Sequence, residues 1–142
     1  MSSQTVTRND LTAILNEVLP NPTSHDVIID NGTASLTTGN TVSSISGNIA
    51  LTSGIWLLVG DVSFPDNTNG SRYLEWKQGN SSILASRVIV PAASSGFSTR
   101  IQSIAIVDLT ETTNVCLQGY QYTGTSGTSI SVGYWYRLVR IA

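Results

Sequence analysis

Residues 55–64 place Ile55, Leu57 and Val59 on one side of an extended chain and Trp56, Leu58, Val62 and Phe64 on the other. A strand packed on one face and wetted on the other alternates apolar with polar residues, and this one does not. The same double pattern recurs downstream. Ile101, Ala105, Val107 and Leu109 oppose Ile104 and Ile106, while Ile130, Val132, Tyr134, Tyr136 and Leu138 oppose Trp135, Val139 and Ile141. One set can fill a core. The other needs a cover, because burying each large apolar side chain is worth roughly 1.5–3 kcal/mol and several left in water together make a sticky patch. Two covers are open: contact with another subunit, or the 23–52 segment folded over the second face.

The rest of the chain has the same β texture. Runs rich in Val, Ile, Thr, Tyr and Trp fall near 26–30, 33–38, 41–51, 54–64, 71–77, 82–90, 98–109, 113–123 and 129–141. Turn signals separate them at Asn31-Gly32, Gly39-Asn40, Asp66 to Gly70, Gly79-Asn80, Ser94 to Gly96 and Gly124 to Gly127. Many short strands with no helices between them predict an antiparallel sandwich or barrel. Residues 8–19 are the exception. Leu11, Ile14, Leu15, Val18 and Leu19 make one helical stripe, Thr7 or Asn9 can cap it, and Pro20 and Pro22 end it. The expected organisation is a helical stem over 1–22 and a β-sandwich over 23–142. A helix of about 12 residues is marginal alone in water, so its stripe needs the sandwich, its own copies or a partner.

Composition narrows the function. Seven Lys and Arg against nine Asp and Glu give a net charge of −2, which disfavours nucleic acid, since phosphate recognition wants a basic stripe. Charged residues are 11% of the chain, against roughly 25% in an ordinary domain, which suits a surface partly hidden by subunit contacts. Cys116 is the single cysteine, so no intrachain disulfide can form, and it reads as a small buried residue. The start lacks a basic then apolar leader, so no signal peptide is expected. No run approaches the roughly 18 apolar residues of a membrane span.

Catalytic and metal chemistry have little to work with. His25 is the only histidine, and one His with one Cys does not make a usual zinc site. No nucleophile elbow accompanies a serine. Asp61, Glu75, Asp108 and Glu111 can each pair with an Arg on a neighbouring strand. The reading is therefore non-enzymatic, with no cofactor and no metal. The alternative from another class is a carbohydrate-binding module using exposed aromatic residues. Trp76, beside Glu75 and Lys77, is the best candidate for ligand contact.

The run from Gly54 to Phe64, the polar-aromatic strand Ser71-Arg-Tyr-Leu-Glu-Trp-Lys77 and the final Val132 to Ala142 resemble the C1q/TNF-like jelly rolls. That layout is common in bacteriophage fibre tips and receptor-binding heads, where a short N-terminal helix also recurs. The resemblance implies a tight homotrimer whose inner sheet includes the strands near 54–64, 113–123 and 129–141. It implies Trp56, Tyr120, Tyr122, Tyr134 and Tyr136 at the trimer interface. It further implies a virion or appendage location. Another virion protein would be held through residues 7–19, and a host-surface glycan or protein is a possible target.

Overall fold

A computed structural model describes residues 27–123 and 127–142. The helix expected over 8–19, the 1–22 stem, His25 and the tip of the 124–127 turn lie outside these residues. The described chain forms β1 (Val27–Thr37), β2 (Ser43–Ser44), β3 (Ile49–Leu51), β4 (Gly54–Phe64), β5 (Ser71–Gln78), β6 (Ser81–Ser82), β7 (Val88–Pro91), β8 (Thr99–Leu109), β9 (Thr113–Tyr122) and β10 (Ser129–Arg140). A single 3-10 turn, Leu84–Ser86, separates β6 from β7. The first sheet runs β1-β10-β4-β8. In the second, β2 and β3 share one side of β9, and β5 on the other side carries β6 and β7.

The pairing is nested. β1 lies beside β10, β3 beside β9, β4 beside β8 and β5 beside β7, all antiparallel. The chain is thus a long ribbon rolled on itself, which is jelly-roll-like order. The all-β antiparallel sandwich expected from the sequence is the fold observed.

Two local expectations are corrected. Asn31-Gly32 does not turn the chain. β1 runs straight through it, with Asn31 opposite Trp135 and Gly32 opposite Tyr134. Glycine suits the packing there, since a Cβ would lie 3.2 Å from the Tyr134 hydroxyl oxygen and the ring would have to give slightly. Secondly, 113–122 does not join β4 and β10 in one sheet. β9 belongs to the second sheet, where it pairs with β5 from Ser71–Tyr122 to Gln78–Val115.

The core lies between the sheets. Trp56, Leu58, Val62 and Phe64 of β4 and Val132, Tyr136 and Leu138 of β10 face Leu74 and Trp76 of β5 and Val115 and Leu117 of β9. The inward face of β4 includes Gly60, where a Cβ would come within 2.8 Å of Leu117 and 3.1 Å of Trp76. Trp76 links the sheets by hydrogen bonds as well. Its indole N–H donates to the Ser103 carbonyl at 3.2 Å, and its backbone N–H donates to Ser86 Oγ at 2.8 Å. Ser103 Oγ closes the loop by donating to the Ser86 carbonyl at 2.6 Å.

The loop before β5 is held from inside. Arg72 is fully buried, and its guanidinium donates to the carbonyls of Asn67 at 2.6 Å and Asn69 at 2.9 Å. Gly70 closes that loop with φ +73, and a Cβ there would sit 1.8 Å from the Tyr122 carbonyl oxygen. Gly70→Ala is therefore expected to lower stability by more than about 1 kcal/mol. A thermal melt showing an unchanged midpoint would contradict this.

Candidate functional site

The strands of the first sheet turn one parity inward and the other to solvent. Registers place the outward residues in rows across β1, β10, β4 and β8. One row is Val27, Val139, Leu57 and Ile106, and the next is Ile29, Arg137, Val59 and Ile104. Ile104 is 51% and Ile106 65% exposed, with Val27 and Ile29 comparably open. Leu57, Val59 and Val139 are half-buried, and Ile55 extends the apolar area at the end of β4. Arg137 is the one charge within these rows, and its aliphatic stem can lie along the apolar surface while the guanidinium stays in water. This is the uncovered second face that the double patterning requires. Neither the 27–52 segment nor any other described segment folds over it.

Further along the same face the rows become polar. Asn31, Trp135, Asp61 and Gln102 form one, and Thr33, Gly133, Ser63 and Arg100 the next. Arg100 Nε donates to both Asp61 carboxylate oxygens, at 2.7 and 2.9 Å. The Arg100 guanidinium titrates above its ordinary value because it donates to Asp61 and lies beside its charge. Between these side chains lies an open trough of about 610 Å³.

The outer face of the second sheet is closed by its own side chains. Tyr73 and Tyr120 stack with ring centroids 4.7 Å apart, and the Arg87 guanidinium lies 5.2 Å from the Tyr73 centroid. Beside them Glu75, 1% exposed, accepts hydrogen bonds from Ser82 Oγ at 2.8 Å, Gln118 Nε2 at 2.7 Å and Arg87 Nε at 3.1 Å. Burial alone would raise the Glu75 pKa. Hydrogen bonds from Tyr73, Ser82, Gln118 and Arg87 outweigh it and hold the carboxyl below its ordinary value. The Tyr73 phenol is pushed up to about 12, first by burial and then by Glu75.

The residues expected to line an interface are dispersed. Trp56 is 2% and Tyr136 6% exposed, both in the core. Tyr134 packs against the core on the inward parity of β10, its ring centroid 6.1 Å from that of Tyr136. The Tyr136 hydroxyl donates to Asp30 Oδ2 at 3.3 Å, and burial followed by Asp30 pushes its pKa up to about 12. Gly32 leaves space for the Tyr134 ring, and Gly60, on the inward parity of β4, leaves space for Leu117 and Trp76. Tyr120 and Tyr122 lie on the outer face of the second sheet, where Tyr122 is 41% exposed. Trp76 is 0% exposed, so the expected stacking platform is corrected: its ring lies between the sheets. Cys116 is buried with its thiol free, 3.1 Å from Ser44 Oγ. Among the described residues no three His, Cys, Asp or Glu side chains converge as a metal site would need, and no helix is long and apolar enough to cross a membrane.

No protein-family model matches the chain, and no curated protein matches it. Solved structures do. The VP2 subviral particle of infectious bursal disease virus superposes with a TM-score of 0.52 at 13% identity, covering 80% of this chain and 32% of VP2. The Gt strain of the same virus gives 0.48 at 14%, covering 80% and 33%. A subunit of Bacillus endospore appendages, described as disulfide-linked pili, gives 0.40 at 11%, covering 82% and 90%. This chain spans about a third of the VP2 chains it resembles. The VP2 likeness shows a shared β-sandwich fold. The structural neighbours are subunits of particles and pili.

Proposed function

We propose that this chain is a non-enzymatic structural and attachment subunit of a bacteriophage virion or appendage, working as a C1q/TNF-like homotrimer. The observation that carries the reading is the uncovered apolar half of the first sheet, from Ile55 and Val27 to Ile104. The four strands, of eleven or twelve residues each, present a face of roughly 36 by 19 Å, on the order of 700 Å², and the apolar half is about half of that. A stable interface buries about 800 Å² per partner, so the apolar half would form the centre of a subunit contact rather than the whole of it. Its exposed Val and Ile side chains suit apolar surface on neighbouring copies better than water, and three copies gathered about a threefold axis would cover them. The likeness to the VP2 subunit of a viral particle is consistent with self-association. Residues 7–19 are left to bundle with their copies or to hold another virion protein.

Light scattering on purified protein tests the number three. The expected mass is three times the 15.1 kDa chain, and a clean monomer at micromolar concentration sinks the reading. Ile104→Asp combined with Ile106→Asp should raise the dissociation constant about a thousandfold or more, because each interface would hold charges in place of buried isoleucines. Both positions are open to solvent in a single chain, so the variant should still fold, with stability changed by no more than about 1 kcal/mol.

A further inference from the structure

We propose that the polar half of the same sheet face binds a neutral pyranose sugar, with Trp135 as the stacking surface and Asn31, Asp61 and Arg100 as hydroxyl partners. Of the three tryptophans, Trp56 and Trp76 are in the core and Trp135 alone is partly open. Its row neighbours are Asn31 on one side and Asp61 on the other. That places an aromatic ring between an amide and a carboxylate, each one strand spacing, about 4.8 Å, away. Next to it Gly133 leaves a gap: a Cβ there would meet nothing within 4 Å. The gap opens the trough of about 610 Å³, within the usual range of small-ligand sites.

The polar groups match a sugar's edge and face. Arg100 bonds Asp61 through Nε alone, so its two terminal amino groups can donate to a ligand. Asp61 has lone pairs beyond those two contacts. A carboxylate accepting from one hydroxyl while a guanidinium donates to its neighbour is complementary to a vicinal diol. The C–H face of a pyranose is apolar enough to lie on the indole ring, while the indole N–H stays available at the edge. A wholly apolar ligand would strand Asn31, Asp61 and Arg100 without partners. A carboxylated sugar would meet Asp61 at the centre of the site. The trough begins where the apolar rows end, with Asn31 and Trp135 on the border between the two surfaces.

The buried Trp56 and Trp76 make acrylamide quenching report mainly on Trp135. The assembled protein would be titrated with methyl glycosides of glucose, galactose and N-acetylglucosamine, with a methyl sialoside as the charged arm. At least one neutral glycoside should protect Trp135 from the quencher, with a Kd of about 1 mM. By calorimetry, Trp135→Ala and Asp61→Asn should each weaken that binding tenfold or more, leaving mass and circular dichroism unchanged. Protection by none of the neutral glycosides, preference for the sialoside, or calorimetric binding that survives Trp135→Ala would each overturn the proposal. Loss of the trimer in Ile104→Asp/Ile106→Asp with sugar binding retained would separate this site from the assembly reading and support it.

Discussion

Replacing Trp76 with alanine will cost about 3–5 kcal/mol, the range for deleting a large buried aromatic side chain. Marginal domains hold only about 5–15 kcal/mol in total, so this variant should unfold at far lower urea than the parent. The size of the effect follows from position. Trp76 is completely buried and makes an edge contact with Tyr136 from the opposite sheet, centroids 6.3 Å apart. Its indole N–H satisfies the Ser103 carbonyl on β8, and the Ser86 hydroxyl that receives its backbone N–H also donates to Ile83. The substitution therefore opens a cavity and removes one of the hydrogen bonds between the sheets. Trp76→Phe, which keeps a ring against Tyr136 and loses the N–H, should fall between parent and alanine. A urea midpoint for Trp76→Ala within error of the parent would refute this account of the core.

Glu75→Gln should lower stability at neutral pH by about 2–3 kcal/mol. The figure stays below the usual loss for a broken buried pair because Arg87, with 40% of its side chain exposed, and Ser82 are open enough to rehydrate. The variant should also change the pH dependence. Folding lowers the Glu75 pKa, so in the acid range the unfolded chain binds more protons than the folded one, and stability rises with pH there. Its contribution is complete above the ordinary value of 4.5 and is lost as pH falls through the lowered folded value. Urea midpoints measured from pH 7 down to pH 3 should fall more steeply for the parent than for Glu75→Gln. Parallel curves would show that the carboxylate is not held as described.

The strand content of this fold was legible because local chemistry decides it. Gly54 to Phe64 alternates two apolar sets, ends at Pro65 and is β4 from end to end. What local chemistry could not decide was which set faces the core. Trp56 and Leu57 are equally apolar, and their fates depend on Leu117 and Trp76 arriving over Gly60 from the second sheet. The resemblance to C1q/TNF-like jelly rolls implied Tyr134 and Tyr136 at an interface, and local pattern could not test it, whereas their inward parity packs them on the core and leaves Trp135 outside. The signal that pointed to Trp135 was present: an aromatic residue of opposite parity to its neighbours, beside a glycine in mid-strand. Asn31-Gly32 misled for a similar reason, since a pair favoured in turns also fits a strand where a tyrosine ring passes close above it. The sheet to which β9 belongs is a matter of long-range pairing, which no short stretch of sequence encodes.

The nested order has a kinetic consequence. β10 lies between β1 and β4, so two strands that are synthesised early have no common partner until β10 has emerged. Until then Leu36, Leu58 and Val62 have only half a core to enter. The first sheet can close only once β10 is made, by joining segments about a hundred residues apart, and such non-local closure places refolding in the millisecond-to-second range. During that interval the apolar rows of β4 and β8 and the unpaired edge of β1 are open to other nascent copies. Neighbouring copies on one message can therefore meet before they are fully folded, and the same surface that assembles the mature subunit can also divert it into aggregates.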